Sequence, residues 1–478
     1  MMERFDVAVI GGGILGCFTA RELSRLKLDI ILLEAREDVC TGISRANTAI
    51  VYPGYDHKPG TLKAKMTVRA NTVFDRLCEE LDVPFCRCGS LMLSSGPQAD
   101  KVLQKKYRQG IENGVPGLRL LSADEAYRLE PALSQELSSA LFSPGAGTVN
   151  PWQLGIAACE NAVQNGVNLY LNTTLTGLRE ETGRYILETN HGLFSVRAVV
   201  NCAGLAADRV QELLVPSPVR IVPTAGDYLV LDRFCPNRPA HILQFEPEGK
   251  EKGLTAVPTV EGSLLLGPSE RENTLDFATT ESGLAQVRHL AKRLLPGLDF
   301  GAVIRSFAAV RPNPQRPDGS SIRSFCIEHP VERFWSLIGI KTPGLTCAQE
   351  LGSYLAGQLR EELTAERKPC FDPFRRGILS PHGLSFAERQ SLVERENDYG
   401  EIVCYCEDVT KAEVLEAIRR GAVTVDGVKR RIGTGMGRCQ GARCEQKIEA
   451  LLAETLGIPV CSIRKDGPGS EIVRKAHA

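Results

Sequence analysis

FDVAVIGGGILG, residues 5–16, is a short apolar run rich in β-branched side chains that passes directly into a glycine turn. A helical pattern follows to about Leu26, and a second apolar run, Asp29 to Leu33, ends in Glu34. The order is strand, glycine turn, helix, strand, acid, the outline of a dinucleotide-binding βαβ unit. Each part has a task. Gly11 permits the tight turn, Gly13 lets the backbone approach a pyrophosphate, and Gly16 allows close packing of helix on strand. The helix N-terminus at Ile14 offers unpaired N–H groups to the anion. Glu34, eighteen residues after Gly16, can accept hydrogen bonds from ribose hydroxyls and disfavours the 2′-phosphate of NADP. The motif alone leaves FAD and NAD both open.

The 478 residues exceed one ordinary core and predict two or three domains. Hydrophobic residues at 43% and charged residues at 24% are average for a globular protein, which argues against disordered, collagen-like or membrane-spanning classes. No run of about eighteen apolar residues occurs. Lys+Arg of 57 against Asp+Glu of 58 gives a net charge of −1, so nucleic-acid binding has no global electrostatic support. The unusual count is sixteen cysteines. Met1 to Asp6 lacks the charged and apolar regions of a secretory signal, so a reducing, cytoplasmic setting is expected, with some thiols as metal ligands and the rest as packing residues.

Two later stretches repeat the strand-then-small-residue logic: AVVNCAG at 198–204, and FWSLIGIKTPGLT at 334–346 before a helix. They favour FAD. Together with NTAIVYPGYDHKPGTLKAKMTVR at 47–69 and Gly89-Ser90-Leu91, they resemble the D-amino-acid-oxidase-like flavoproteins. Within these the likeness is to L-2-hydroxyglutarate oxidases, and above all to A subunits of anaerobic glycerol-3-phosphate dehydrogenases. The resemblance implies an α/β fold. A discontinuous Rossmann-like FAD domain (1–88, 145–218 and 301–367) carries an interposed antiparallel-sheet substrate domain (89–144 and 219–300). It also implies a set of FAD contacts: Gly11, Gly13, Ile14, Gly16, Glu34, Ala35, Ser44, Asn47, Thr48, Ala203 and Gly204 in the first two passages. Gly339, Thr342, Pro343, Gly344, Leu345 and Thr346 complete the set in the third.

Flavin oxidation of an alcohol or amine carbon needs a group to fix the substrate anion and often a base. Arg311, in Val310-Arg311-Pro312, is the leading anion-binding candidate, since a guanidinium holds a carboxylate or phosphate by two parallel bonds. Its setting resembles the Arg-Pro motif that clamps the substrate anion in this superfamily. Arg323 and Lys341 rank behind it. Relatives carry His in a V-H-x-G pattern where this chain reads Val51-Tyr52-Pro53-Gly54. A phenol titrates near 10 and is a poor base, so Tyr52 is read as a substrate hydrogen-bond donor or a pocket wall, with His57 and His241 as alternatives. A second departure is Thr224-Ala225-Gly226-Asp227-Tyr228, where relatives show Arg-Gly-Glu-Tyr, and this alters the expected charge preference.

Residues 368–400 read as a linker with one short helix, and 401–478 as a small helical domain. It holds Cys404-Tyr405-Cys406, then thirty-two residues, then Cys439-Gln440-Gly441-Ala442-Arg443-Cys444. Thr410 to Glu413 is a capping box with Val409 and Val414 as its hydrophobic staple, and Gly421 is expected to end that helix. A second stripe, Ile448, Leu451, Leu452 and Leu456, closes at Gly457. Four thiols can hold zinc or iron–sulfur, and the C-x-C spacing argues mildly against zinc. The spacing and the surrounding Gly435 to Gly441 resemble the bacterioferritin-associated-ferredoxin-like domain. This implies a [2Fe-2S] cluster on Cys404, Cys406, Cys439 and Cys444, whose negative charge Lys429, Arg430, Arg431, Arg438 and Arg443 are placed to offset.

The expected activity is therefore an FAD-dependent dehydrogenase of a small anionic 2-hydroxy compound, glycerol 3-phosphate or a 2-hydroxy acid. Its electrons would leave through the cluster to a partner, either a second flavoprotein or a quinone-linked subunit that brings the protein to the inner membrane. The alternatives are an amino- or imino-acid dehydrogenase, or an electron-transfer subunit with a degenerate pocket.

Overall fold

A computed structural model describes residues 2–246 and 253–473. They form two compact units, Met1–Ala35 with Cys40–Arg375, and Arg36–Val39 with Arg376–Ala478. The first unit is built on a six-stranded sheet in the order Asn168–Tyr170, Ile30–Leu33, Val7–Ile10, Ala198–Asn201, Phe334–Ile338, Cys326–Val331. Five strands run parallel and Cys326–Val331 antiparallel. Every residue of VAVI, IILL, AVVN and FWSLI is buried, as strands covered on both faces require. The helix between the first two of these, Ile14–Leu23, is shorter than its pattern predicts: the Ser24 hydroxyl turns back to donate to the Arg21 carbonyl at 2.7 Å. Helix Ala348–Glu362 crosses it backbone to backbone, since a Cβ on Gly352 would lie 2.8 Å from the Phe18 carbonyl oxygen.

The second large sheet has eight strands, ordered Val303–Gln315, Arg220–Leu231, Leu264–Gly267, Leu254–Pro258, Ile242–Glu246, Ser90–Ser94, Ser139–Ser143, Arg119–Ser122. It is antiparallel except where Ile242–Glu246 and Ser90–Ser94 pair in parallel. That one pair joins two separate insertions of the chain, so no hairpin could link them. Helix Glu281–Leu294 packs Val287, Leu290 and Leu294 onto Leu229, Leu254 and Leu266 of the sheet. Val303–Gln315 corrects the sequence reading that set residues 301–367 wholly in the nucleotide domain. It pairs with Arg220–Leu231 along nearly its whole length and is a strand of the substrate sheet.

The C-terminal unit has a two-stranded ladder, Ile402–Cys404 with Val409–Thr410, and helices Lys411–Arg419, Val425–Ile432 and Glu445–Leu456. The capping box forms in full. Glu413 N–H donates to Thr410 Oγ1, and the Glu413 carboxylate accepts from the Thr410 N–H at 2.8 Å. Gly457 ends the last helix in the left-handed region at φ 66°. Val414, Ile418, Val428, Ile448 and Leu452 form the core. The middle helix reads in the sequence only as a basic run. The structure turns that run inward: Arg431 donates to both carboxylate oxygens of Asp38 (2.7 and 2.9 Å), and Arg430 pairs with Asp466 at 2.8 Å. These two arginines are committed to acids of their own unit, which corrects their expected role as counter-charges to a cluster. Among the described residues no helix is long and apolar enough to cross a membrane.

Candidate active site and cluster site

Gly11, Glu34, the Cys202–Gly204 turn and Gly339 each follow a parallel strand of the six-stranded sheet. They therefore gather at its C-terminal edge, where ligands of such sheets bind. Gly11 adopts φ 99°, and a Cβ there would come within 2.7 Å of the Cys202 carbonyl oxygen. A Cβ on Gly16 would collide with the Gly11 carbonyl oxygen, and one on Gly13 would meet Ser44 Oγ at 3.3 Å. Glu34 Oε2 accepts from the Gly12 N–H at 2.6 Å, which fixes the acid against the glycine turn. Ser44 Oγ accepts from the Ile14 N–H at 3.0 Å, and Asn47 Nδ2 donates to the Ser44 carbonyl. Ala35 is exposed beside Glu34. The third passage closes over this edge. Thr346 Oγ1 accepts from the Tyr52 N–H at 3.1 Å, and Gly339, at φ 63°, is packed by Pro314 of the substrate sheet. Within the same passage Gly344 N–H donates to the Lys341 carbonyl at 2.7 Å, between exposed Thr342, buried Pro343 and half-buried Leu345.

On the substrate side, Arg311 Nη2 donates to Tyr228 Oη at 3.3 Å, and Tyr228 stacks on Phe307 with centroids 4.9 Å apart. Burial pushes the Tyr52 phenol up to about 12, although a hydrogen bond with Thr48 and the positive charge of Arg311 pull it the other way. Tyr52, Tyr228, Thr48 and Arg311 thus form one group, in which burial keeps the phenol of Tyr52 protonated. His57 stands apart from that bonded group, beside Asp56 and Lys63. Burial and the Lys63 charge push its imidazole down to about 4, so it is neutral at pH 7. His241 Nδ1 bonds Glu130 at 2.7 Å, and the same carboxylate oxygen accepts two backbone N–H groups, an arrangement that anchors a strand end. Arg323 contributes its carbonyl to Lys63 Nζ at 3.4 Å. At the departure Ala225, the facing residue is Arg271, which exchanges two backbone hydrogen bonds with it and sends its guanidinium to Asp227. Lys63 escaped sequence reasoning because it looks like any charge on the amphipathic helix Leu62–Leu81.

In the C-terminal unit the four thiols stand as two pairs. Cys406 and Cys439 have sulfurs 3.5 Å apart, and Cys404 and Cys444 are hydrogen-bonded. The Cys404 thiol is pushed down to about 6, chiefly because Cys444 donates to it, with help from the backbone N–H groups of Gly435, Glu407 and Cys406 and against the effect of burial. The thiolate is the metal-binding form. Among the described residues no set of three or more His, Cys, Asp or Glu side chains closes round a single ion. Two pairs of thiols suit a binuclear cluster better than one tetrahedral zinc. Gly437 has no room for a side chain: its Cβ would collide with Cys406 Cβ.

A parallel sheet with a glycine turn at its C-terminal edge, a second sheet presenting an arginine, and a four-thiol module together define a flavin- and iron–sulfur-dependent oxidoreductase. The chain belongs to the FAD dependent oxidoreductase family, which it matches over residues 6–358, and residues 402–454 match the BFD-like [2Fe-2S] binding domain. It is 39% identical over 477 residues to a glycerol 3-phosphate dehydrogenase of Caloramator mitchellensis, covering 98% of each chain. It is 26% identical to the mitochondrial L-2-hydroxyglutarate dehydrogenase of Homo sapiens, over 75% of this chain and 89% of that one. The FAD-bound L-alpha-glycerophosphate oxidase of Mycoplasma pneumoniae superposes with a TM-score of 0.72 at 25% identity, over 78% of this chain and 99% of its own. The protein is an FAD oxidoreductase acting on CH–OH groups, with a [2Fe-2S] domain and homology to glycerol-3-phosphate dehydrogenases.

Proposed function

We propose that the protein oxidises the secondary hydroxyl of a small anionic 2-hydroxy compound, with glycerol 3-phosphate the preferred reading. The observation that carries this is Arg311, aimed by Tyr228 into the group that contains Tyr52. Gly11, Gly13, Ile14 and Gly16 with Ser44 would hold the pyrophosphate of FAD, and Glu34 its ribose. Ala35, Asn47, Thr48, Ala203, Gly204, Gly339 and the Thr342–Thr346 turn would line the rest of it. Bound there, FAD supplies the hydride acceptor. Arg311 would clamp the substrate anion by two parallel hydrogen bonds, and Tyr52, protonated at working pH, would donate a hydrogen bond to the substrate. The domain carrying Cys404, Cys406, Cys439 and Cys444 offers a one-electron outlet to a second flavoprotein or quinone-linked subunit.

Anaerobic addition of glycerol 3-phosphate, L-2-hydroxyglutarate, L-lactate and L-proline to the holoprotein tests this reading. The visible absorbance of the oxidised flavin should bleach fastest with glycerol 3-phosphate. Bleaching by proline alone would replace the reading with an imino-acid dehydrogenase, and bleaching by none would leave an electron-transfer subunit.

A further inference from the structure

The four thiols of the C-terminal unit are not equally covered. Cys404 and Cys444 are each 1% exposed, whereas Cys406 and Cys439, with sulfurs 3.5 Å apart, are only half-buried. The cluster site therefore has a closed end and an open end. Exposed side chains surround the open one. Tyr405, 66% exposed, precedes Cys406, and Arg438 precedes Cys439. Arg443 is exposed as well, and its backbone N–H donates to the Cys439 sulfur. Lys447 sets its Nζ over the Tyr405 ring at 5.7 Å. Unlike Arg430 and Arg431, the guanidiniums of Arg438 and Arg443 have no hydrogen-bond or ion-pair partner among the described residues. The neighbouring acids do not offset them at the surface. Glu407 turns inward, its Oε1 buried against Gly437, while Glu445 is paired with Lys465 and Asp408 with Arg389.

We infer that Tyr405, Arg438, Arg443 and Lys447 form a basic docking face around the open end of the cluster site, and that its occupant is the acidic face of a one-electron carrier protein. The inference rests on the one-electron outlet of the proposed function and names the partner's chemistry. A guanidinium in open water is screened and does little for a charge inside the unit, but against a surface that excludes water on docking it acts at nearly full strength. Tyr and Arg are also the side chains that most often carry binding energy at protein interfaces. Three cations round one small opening steer an acidic carrier toward it and repel a basic one, an effect on encounter rate that salt weakens. Such an encounter needs only a small contact. Each one moves a single electron: the reduced cluster returns to its oxidised state and a ferric carrier becomes ferrous.

The test uses the full protein loaded with FAD and cluster, reduced anaerobically by light and a deazaflavin so that no substrate is involved. It is mixed with an acidic haem protein, cytochrome b5, and separately with the basic cytochrome c, over a range of salt concentrations. Reduction of cytochrome b5 should slow by about tenfold as salt rises, and that of cytochrome c should not slow. Replacing both arginines, Arg438→Gln with Arg443→Gln, should slow cytochrome b5 by about tenfold at low salt and flatten its salt dependence. Cytochrome c should change by less than about twofold, and the midpoint potential of the cluster should stay where it is. Equal slowing of both cytochromes would mean that the arginines act on the cluster itself and would overturn the inference, as would an unchanged salt dependence. Reduction of neither cytochrome would remove the outlet, and the docking face with it. If glycerol 3-phosphate fails to bleach the flavin but the arginine effect on cytochrome b5 persists, the docking face is supported and the proposed substrate is not.

Discussion

Arg311 is the residue on which the proposed chemistry turns. Arg311→Ala should raise KM for the anionic substrate by about 100-fold, two charge-assisted bonds being lost. Arg311→Lys, which keeps the charge and loses the fork, should cost about tenfold. Steady-state KM values for both variants check this, and an unchanged KM in either would move the anion site elsewhere. Tyr52 makes a different prediction. With its phenol pushed up to about 12, it stays protonated across any workable pH range. Tyr52→Phe should therefore lower kcat/KM by about tenfold or less without moving either limb of the pH–rate profile. A shifted alkaline limb would mean that Tyr52 ionises during turnover. Lys63 gives a stability test. Its folded value of about 8 lies below the ordinary 10.5 of a lysine, so between these pH values the unfolded chain binds more protons and stability rises with pH. Denaturant midpoints at pH 7.5 and 10, compared between wild type and Lys63→Met, should show the wild type gaining on the variant as pH rises. The sequence displays Arg311 through its Arg-Pro context, but it hides Lys63. Nothing local distinguishes it from Lys65, and its lowered titration depends on its burial and on the charge of Lys341, which lies 278 positions away.

At the scale of elements, the glycine turn and the capping box are legible because their physics is local. A Cβ at Gly16 strikes the turn it springs from, and Thr410 and Glu413 satisfy each other's N–H groups within one helical turn. The Val303–Gln315 strand is less legible. It begins in one proposed domain and delivers Arg311 and Asn313 to the other, because its partner Arg220–Leu231 was made about 80 residues earlier. Helix Val425–Ile432 is obscured by its own sequence, in which three consecutive basic residues, Lys429 to Arg431, imitate an exposed charge run. The cluster loop lends itself to a clean experiment. Gly437→Ala places a methyl against Cys406 and should remove the visible absorption of the iron–sulfur centre, while flavin content and anaerobic bleaching by substrate persist. Simultaneous loss of flavin would show that the two cofactors are not loaded independently.

Across the whole molecule, the two units are not consecutive in the chain, because Arg36–Val39 belongs to the C-terminal one. Asp38 and Arg431 are almost fully buried, with side chains 3% and 5% exposed. Asp38→Asn leaves the guanidinium without its counter-charge and should cost roughly 3–5 kcal/mol of the C-terminal unit's stability, seen as loss of cluster absorption at a lower denaturant concentration. A midpoint within error of wild type would show that Asp466 and the carbonyls around Arg431 suffice. Composition and motifs reveal the parts in this chain, but not a pair whose members lie 393 residues apart. That separation also matters during synthesis. At roughly 5–20 residues per second, Asp38 leaves the ribosome about 20–80 seconds before Arg431. For that interval the nascent chain carries a carboxylate whose burial partner does not yet exist, and the segment just after Glu34 can settle only when translation is nearly complete.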